Sequence, residues 1–370
     1  MAQETETKNL AAMSGGEPQS RRTPSPFLRP LADVFRAGVA MRHAAYRRGW
    51  ITTRHLTCPV ISVGNLTVGG TGKTPLVVWI ARRLLASGHR PSILTRGYGR
   101  RRGARIIVLQ PQPERAADPR TVGDEPAWLA RELPEAPIIV AADRYQAGRI
   151  AEDRFQVDVH LLDDGFSHLA LARDIDVVTL DSTIDLAHEA LLPAGTLREP
   201  CTALARADLV VLTRVELADP APLEAQVRGV NPRASIFHSR TKLCSLIDLP
   251  SGAVQAPEAL KEKPVYSFCG LGNSEAFLSN LRSWGFSIAG YEPFRDHHVY
   301  HEAELRRLGA RAQERGAEAL VTTEKDAMNF PTAWSSELPI VCCATETEVT
   351  EAQAFEDALL ARLRQRQDEE

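Results

Sequence analysis

One 27-residue stretch, SVGNLTVGGTGKTPLVVWIARRLLASG (residues 62–88), limits the folds open to this chain more than any other. The apolar VISVGN (60–65) reads as a buried strand and the glycines at 69, 70 and 72 as a tight turn. Residues 73–87 read as an amphipathic helix stopped by Gly88. A strand that ends in a glycine turn and feeds a helix aims backbone N–H groups at one spot, with the helix dipole behind them. That is a phosphate site, in which Lys73 reaches the β- and γ-phosphates and the Thr74 hydroxyl holds magnesium. Pro75 suits the first helical turn, where a missing N–H costs little. The core Gly69-Gly70-Thr71-Gly72-Lys73-Thr74 departs from G-x-x-x-x-G-K-[ST] at one place, since Thr67 stands where the pattern has its first glycine. The chain entering the turn therefore need not take a positive φ there, and the loop reads as a variant rather than a degraded copy.

Beyond the loop, apolar runs alternate with helical patterns. Strands are expected at 91–99, 137–144, 157–166, 174–181 and 207–214, with helices over 122–134 and 144–153. This rhythm predicts a parallel sheet in a three-layer α/β domain of phosphate-loop type over residues 51–214. The rhythm lapses over 215–262, which reads as a linker with room for a short hairpin. It resumes over 263–370 with strands at 263–273, 286–291, 318–323 and 339–344. Helices at 274–284, 302–315 and 351–366 complete a second, smaller α/β domain.

The polar first 26 residues carry no apolar segment of signal-peptide type and read as a disordered tail. No run approaches the roughly 20 apolar residues that cross a bilayer. Residues 27–50 form a basic amphipathic helix with five arginines and one acid, Asp33. Asp33, Arg36, His43 and Arg47 fall on one side, and Leu31, Val34, Phe35, Met41 and Ala45 on the other; Arg42 lies in the apolar arc and must snorkel. Such a helix either packs on its own domain or lies in an anionic membrane interface. A net charge of -3 provides no basic excess for a nucleic-acid partner. The six cysteines form no C-x-x-C pair and read as reduced thiols.

A nucleotide site also needs a magnesium-ordering acid at the end of a second strand. VHLLDDGF supplies Asp163 and Asp164 at the carboxyl end of its strand, where open α/β sheets bind ligands. Two adjacent carboxylates are costly unless a cation neutralises them. In TVGDEPAWLA, Asp124 and Glu125 are candidates for positioning an acceptor hydroxyl; they equally suit a helix start by complementing its dipole.

The ordered set SVGNLTVGGTGKTP, LTRGYGR, VGDEP, LLDDGFSH, LLPAGTLREP, DHH and TTEKDA closely resembles the tetraacyldisaccharide 4'-kinases of lipid A biosynthesis, from about residue 28 to 365. That family has threonine at the position of Thr67 and more often glutamine at the position of Ser167. The resemblance implies an enzyme that uses ATP and Mg2+ to phosphorylate the 4'-hydroxyl of an acylated glucosamine disaccharide 1-phosphate. It implies peripheral attachment at the cytoplasmic face of the bacterial inner membrane, which turns the reading of helix 27–50 towards membrane contact. By motif, Thr67, Gly69, Gly70, Thr71, Gly72, Lys73 and Thr74 would bind the nucleotide, and Thr74, Asp163 and Asp164 the metal. Asp124 would be the base, paired across the interdomain cleft with His297, which directly follows the Asp of DHH; His298 is the neighbouring alternative. Glu125, Arg144, Arg198 and Glu199 would meet substrate; for Arg144, Arg198 and Glu199 the alternative is surface ion pairing. Lys325 and Asp326 would contact nucleotide or stabilise the second domain.

Two other readings compete. A regulatory GTPase or metallochaperone would need a guanine-reading N-K-x-D, which the sequence lacks. A soluble small-molecule kinase would make no use of helix 27–50.

Overall fold

The computed structural model describes residues 26–97, 106–112 and 117–368. The expected tail, and the second half of RGYGR with the exit of the strand at 91–99, lie outside these residues. The strands are β1 (Val60–Asn65), β2 (Pro91–Thr95), β3 (Ile106–Leu109), β4 (Ile138–Ala141), β5 (Val159–Asp163), β6 (Ile175–Asp181), β7 (Leu209–Thr213), β8 (Ser235–Asp248), β9 (Val254–Gln255), β10 (Pro264–Cys269), β11 (Ser287–Pro293), β12 (Ala319–Thr323) and β13 (Ile340–Val349). The helices are α1 (Arg29–Arg47), α2 (Lys73–Ala86), α3 (Pro119–Val122), α4 (Asp124–Glu132), α5 (Arg144–Arg154), α6 (Ala221–Val230), α7 (Ser274–Ser283), α8 (Glu302–Glu314), α9 (Glu324–Ala327) and α10 (Ala352–Asp368).

All strands join one sheet in the order β11-β10-β12-β13-β8-β7-β6-β1-β5-β2-β4-β3, with β9 paired to β8. Alternate residues of each strand feed opposite faces, as period-2 geometry requires. In the first lobe Ile61, Val63, Val177 and Val211 pack under α2, α4 and α10. On the other face, Val178, Leu180 and Leu212 pack against α6 and Ala32 of α1, and Val60, Leu94 and Ile139 against α5. The second lobe repeats the three layers, with α7 on one face and α8 on the other. The expected α/β class with a mostly parallel sheet and a smaller second lobe is the fold observed.

The stretch 215–262 differs from its reading as a linker. It holds α6 and the 14-residue β8, besides the anticipated hairpin, formed by β8 and β9. Prolines at 220, 222, 232 and 250 obscure this rhythm in the sequence. Residues Ser235–Ser239 of β8 pair in parallel with β7, and Ser239–Asp248 pair antiparallel with β13. Strands of the two lobes therefore run towards each other, and both carboxyl edges meet at one cleft. The terminal helix also departs from its assignment to the second domain. Phe355, Leu359 and Leu363 of α10 join the first lobe's core, and Arg366 bonds Asp174 at 2.8 Å. All six cysteines are free thiols.

Helix α1 packs through Ala32, Phe35 and Leu28 on the first lobe. Its opposite side leaves Leu31 56%, Val34 70% and Met41 68% exposed, with Phe27 before it and Trp50 after it also in solvent. Two placements correct the wheel: Phe35 turns onto the first lobe, apart from the exposed Leu31, Val34 and Met41, and His43 turns inward to Glu199 rather than to the polar solvent face.

The α10 contact yields a test. Phe355 is fully buried and meets Trp79 and Phe237 edge-on, at 5.3 and 5.0 Å between centroids. Phe355→Ala is expected to destabilise the first lobe by about 3–5 kcal/mol. Thermal unfolding checks this, and an unchanged midpoint would contradict the packing.

Candidate functional site

The phosphate loop is shaped by its neighbours. Gly72 caps α2 with φ +78°, a conformation that side-chain-bearing residues rarely take. Thr67 is buried and bridges Leu197, while the Val68 N–H donates to Thr196 O at 2.8 Å and the Arg198 N–H to Leu66 O at 2.7 Å. The chain entering the turn is thus tied to the loop that carries Arg198, so a glycine is not needed at 67. Thr71 is buried, its hydroxyl bonded to Asn65 and Thr179 and its carbonyl accepting from the Thr213 hydroxyl at 3.2 Å. Arg214 donates to Gly70 O at 2.7 Å and pairs with Asp181, which also accepts from Asn273 of the second lobe at 3.0 Å. A Cβ at Gly272 would lie 3.0 Å from the Gly70 nitrogen and 3.1 Å from Gly69 Cα, so a side chain there would force the phosphate loop to shift by a few tenths of an ångström.

Asp163 and Asp164 emerge from β5 beside this loop. The Thr74 and Thr95 hydroxyls lie 3.4 and 3.3 Å from the Asp163 carboxylate. Arg198 grips Asp164 with two bonds of 2.7 and 2.8 Å, and Lys73 Nζ lies 3.7 Å away. Burial, then the nearby charges of Glu125 and Asp164, push the Asp163 carboxyl up to about 7. Burial also acts to raise Asp164, but the Arg198 bonds and Lys73 outweigh it and hold that carboxyl well below its usual range. The two neighbouring acids are thus driven apart in character.

Asp124 begins α4 and is 5% exposed. Its carboxylate shares a 2.6 Å hydrogen bond with His297 Nδ1, contributed by the second lobe. Lys325 Nζ lies 4.0 Å from Asp124, 3.9 Å from Glu125 and 3.0 Å from Asp296. Burial opposes ionisation of Asp124, yet the His297 bond and Lys325 carry its pKa below the ordinary value. The same bond raises His297, against burial and Lys325. Asp326 is buried and bonds Tyr300, Thr323 and the Gly270 N–H, which makes it a scaffold of the second lobe. Three non-glycine residues with positive φ occur among the described residues, Asp164, Arg214 and His297. All three border this cleft, where strained backbone tends to be held for function.

Two cavities meet at Asp164 and Arg198, which line both. The first, about 520 Å³, holds the phosphate loop, Glu125, His297 and Lys325 and extends over the second lobe. The second, about 670 Å³, lies under α1 and is basic, with Arg42, Arg96, Arg144, Arg198, His43 and His168. Burial and the surrounding arginines, Arg144 foremost, hold His168 down at about 4. Arg144 is 3% exposed and donates to Ala141 O and Ala142 O at 3.0 and 3.2 Å. Glu199 also borders this cavity, but its carboxylate is engaged by Arg206 at 2.9 Å and His43 at 3.2 Å. Glu199 therefore anchors α1 instead of standing free. The structure brings the phosphate-loop residues, Asp124, Glu125, Asp163, Asp164, Arg198 and His297 together around one cleft, with Arg144 and Glu199 in the adjoining cavity. Sequence reasoning missed Arg214 and Asn273, whose positions carry no motif signal, and Asp296 and His168, which stand in the quoted DHH and LLDDGFSH.

A family model described as tetraacyldisaccharide-1-P 4'-kinase matches residues 24–364. A tetraacyldisaccharide 4'-kinase of Geobacter sulfurreducens is 40% identical over 328 residues, 87% of this chain and 88% of that protein. One from Syntrophus aciditrophicus is 37% identical over 94% of this chain and 96% of its own length. The crystal structure of LpxK from Aquifex aeolicus in complex with ATP superposes with TM-score 0.71 at 28% identity, covering 91% of this chain and 98% of that one.

The Asp124–His297 bond sets a pH signature. Because His297 is raised, its contribution to stability is complete below the ordinary imidazole value and fades as pH climbs through the raised one. Because Asp124 is lowered, its contribution is present above the ordinary carboxyl value and is lost as pH falls through the depressed one. Asp124→Asn is expected to move the His297 titration downward in NMR. An unmoved titration would contradict the bond.

Proposed function

The chain belongs to the tetraacyldisaccharide 4'-kinase family, the lipid A 4'-kinases, and from that premise we propose how its residues bind and phosphorylate the lipid. ATP occupies the first cavity, its phosphates on the backbone of Gly69–Gly72 with Lys73 alongside. The acylated disaccharide 1-phosphate enters from the α1 side, where Arg42, Arg96, Arg144 and His168 form a basic wall suited to phosphate and sugar oxygens. The two cavities share Asp164 and Arg198, so donor and acceptor meet there.

The observation that carries this reading is the 2.6 Å Asp124–His297 bond closing the cleft from opposite lobes beside the phosphate loop. The 4'-hydroxyl oxygen attacks the γ-phosphorus, the bond from that phosphorus to the β–γ bridging oxygen breaks, and ADP leaves. Asp124, kept ionised, accepts the hydroxyl proton, and His297 holds that carboxylate in orientation. Phosphoryl transfer asks mainly for positioning and charge stabilisation, which Lys73 and Arg198 supply. The donor set for magnesium is all hard oxygen, from Asp163, Asp164 and Thr74, and the raised Asp163 carboxyl marks an excess of negative charge that a divalent cation relieves. Bound there, the ion would neutralise charge on the β- and γ-phosphates.

No helix among the described residues is long and apolar enough to cross a membrane. The exposed Leu31, Val34 and Met41 of α1, with Phe27 and Trp50, instead support a peripheral seat in the lipid interface. A substrate with several acyl chains resists leaving the bilayer, at about 0.8 kcal/mol per buried CH₂. ATP supply assigns this seat to the cytoplasmic face of the inner membrane.

Two measurements test the reading. Asp124→Ala is expected to lower turnover on the acylated disaccharide about 10²–10⁴-fold while ATP binding stays within a few-fold; unchanged turnover refutes the base. The combined Leu31→Ser, Val34→Ser and Met41→Ser variant is expected to lose most sedimentation with anionic phospholipid vesicles. Undiminished sedimentation refutes the α1 interface.

A further inference from the structure

The first cavity is walled on its second-lobe side by one face of α7. Ala276, Phe277, Asn280 and Trp284 recur at three- and four-residue spacing, and all four line it together with Leu271. Phe277 belongs to an apolar core against which Leu271 and Trp284 pack, so the setting of Asn280 is largely hydrophobic. Asn280 is only 4% exposed. Its backbone carbonyl accepts from the Trp284 N–H at 2.9 Å and the Ser283 hydroxyl at 2.8 Å. Its side-chain oxygen is buried without a hydrogen-bond partner.

A buried carboxamide left unpaired is costly, and native proteins rarely keep one without a reason. A carboxamide also presents a coplanar donor and acceptor, the pattern that matches the amino group and adjacent ring nitrogen of adenine. Ligand sites combine apolar walls with a few convergent polar groups in this way. We propose that Asn280 reads the amino edge of the ATP base against the apolar wall of α7, making it the residue that sets nucleotide preference. This rests on the assignment of ATP to the first cavity. The phosphates stay with the first lobe and the base with the second, so one nucleotide bridges both.

The test compares ATP with purine riboside triphosphate, which lacks only the 6-amino group, and uses inorganic tripolyphosphate as a competitor. In the wild-type protein, purine riboside triphosphate is expected to show a KM about tenfold above that of ATP, the effect of losing one hydrogen bond to a buried group. Asn280→Leu is expected to raise the KM for ATP by a similar factor, to abolish the difference between the two nucleotides and to leave kcat within about twofold. Asn280→Ala, which adds no bulk, serves the same comparison. Inhibition by tripolyphosphate is expected to be unchanged in both variants, showing that the phosphate loop is intact. Equal KM values for the two nucleotides in the wild type, or persistent discrimination in the variants, overturns the proposal. Tripolyphosphate inhibition that survives Lys73→Ala instead overturns the underlying nucleotide site.

Discussion

A single strand shared by two lobes is the constraint from which the rest of the molecule follows. β8 hydrogen-bonds to β7 along one part of its length and to β13 along the other, in opposite senses. The parallel strands of the lobes are thereby pointed at each other. Loops at the carboxyl ends of such strands are where α/β sheets bind ligands, and here two sets of them face one cleft. Asp124 and the phosphate loop come from one side and His297, Lys325 and Gly272 from the other. α10 strengthens the join by crossing back to bury Phe355, Leu359 and Leu363 in the first lobe.

Charge organises what the strand brings together. Buried carboxylates are costly alone, and the two adjacent acids at the end of β5 are treated differently. Asp164 is held ionised by Arg198 and Lys73, while Asp163 accepts from the Thr74 and Thr95 hydroxyls and is pushed towards protonation. A second cluster joins Asp124, Glu125 and Asp296 around Lys325, with His297 sharing the Asp124 carboxylate. In the proposed mechanism one cluster serves the transferred phosphoryl group and the other the acceptor proton.

The helix at the start of the described chain is coupled to the same machinery. Glu199, next to the Asp164-gripping Arg198, holds His43 of α1. Arg42 on the same helix donates to Ser167 O at 3.2 Å, in the loop that follows the paired aspartates. The element that presents apolar side chains outward is therefore tied to the loop that carries Arg198 and to the loop that follows Asp164. Under the proposed function, the exposed apolar side chains of α1 would meet the lipid while the basic cavity under the same helix would take the headgroup.

The sequence by itself determined the strand–turn–helix of the phosphate loop, the α/β class, the acids at 124 and 163–164 and, by resemblance, the partnership of Asp124 with His297. These were legible because period-2 and period-3.6 patterns are local, and motif residues stand at fixed spacing. α6, with Pro220 and Pro222 at its start, and β8, flanked by Pro232 and Pro250, were read as a linker because β8 alternates weakly and takes its identity from two different neighbours. The inward turn of His43, the anchoring role of Glu199, the contacts of Arg214 and Asn273 with the loop region, and the unpaired amide of Asn280 were decided only by tertiary structure. Each depends on residues dozens to hundreds of positions apart, and no local pattern encodes which buried polar group finds a partner and which waits for a ligand.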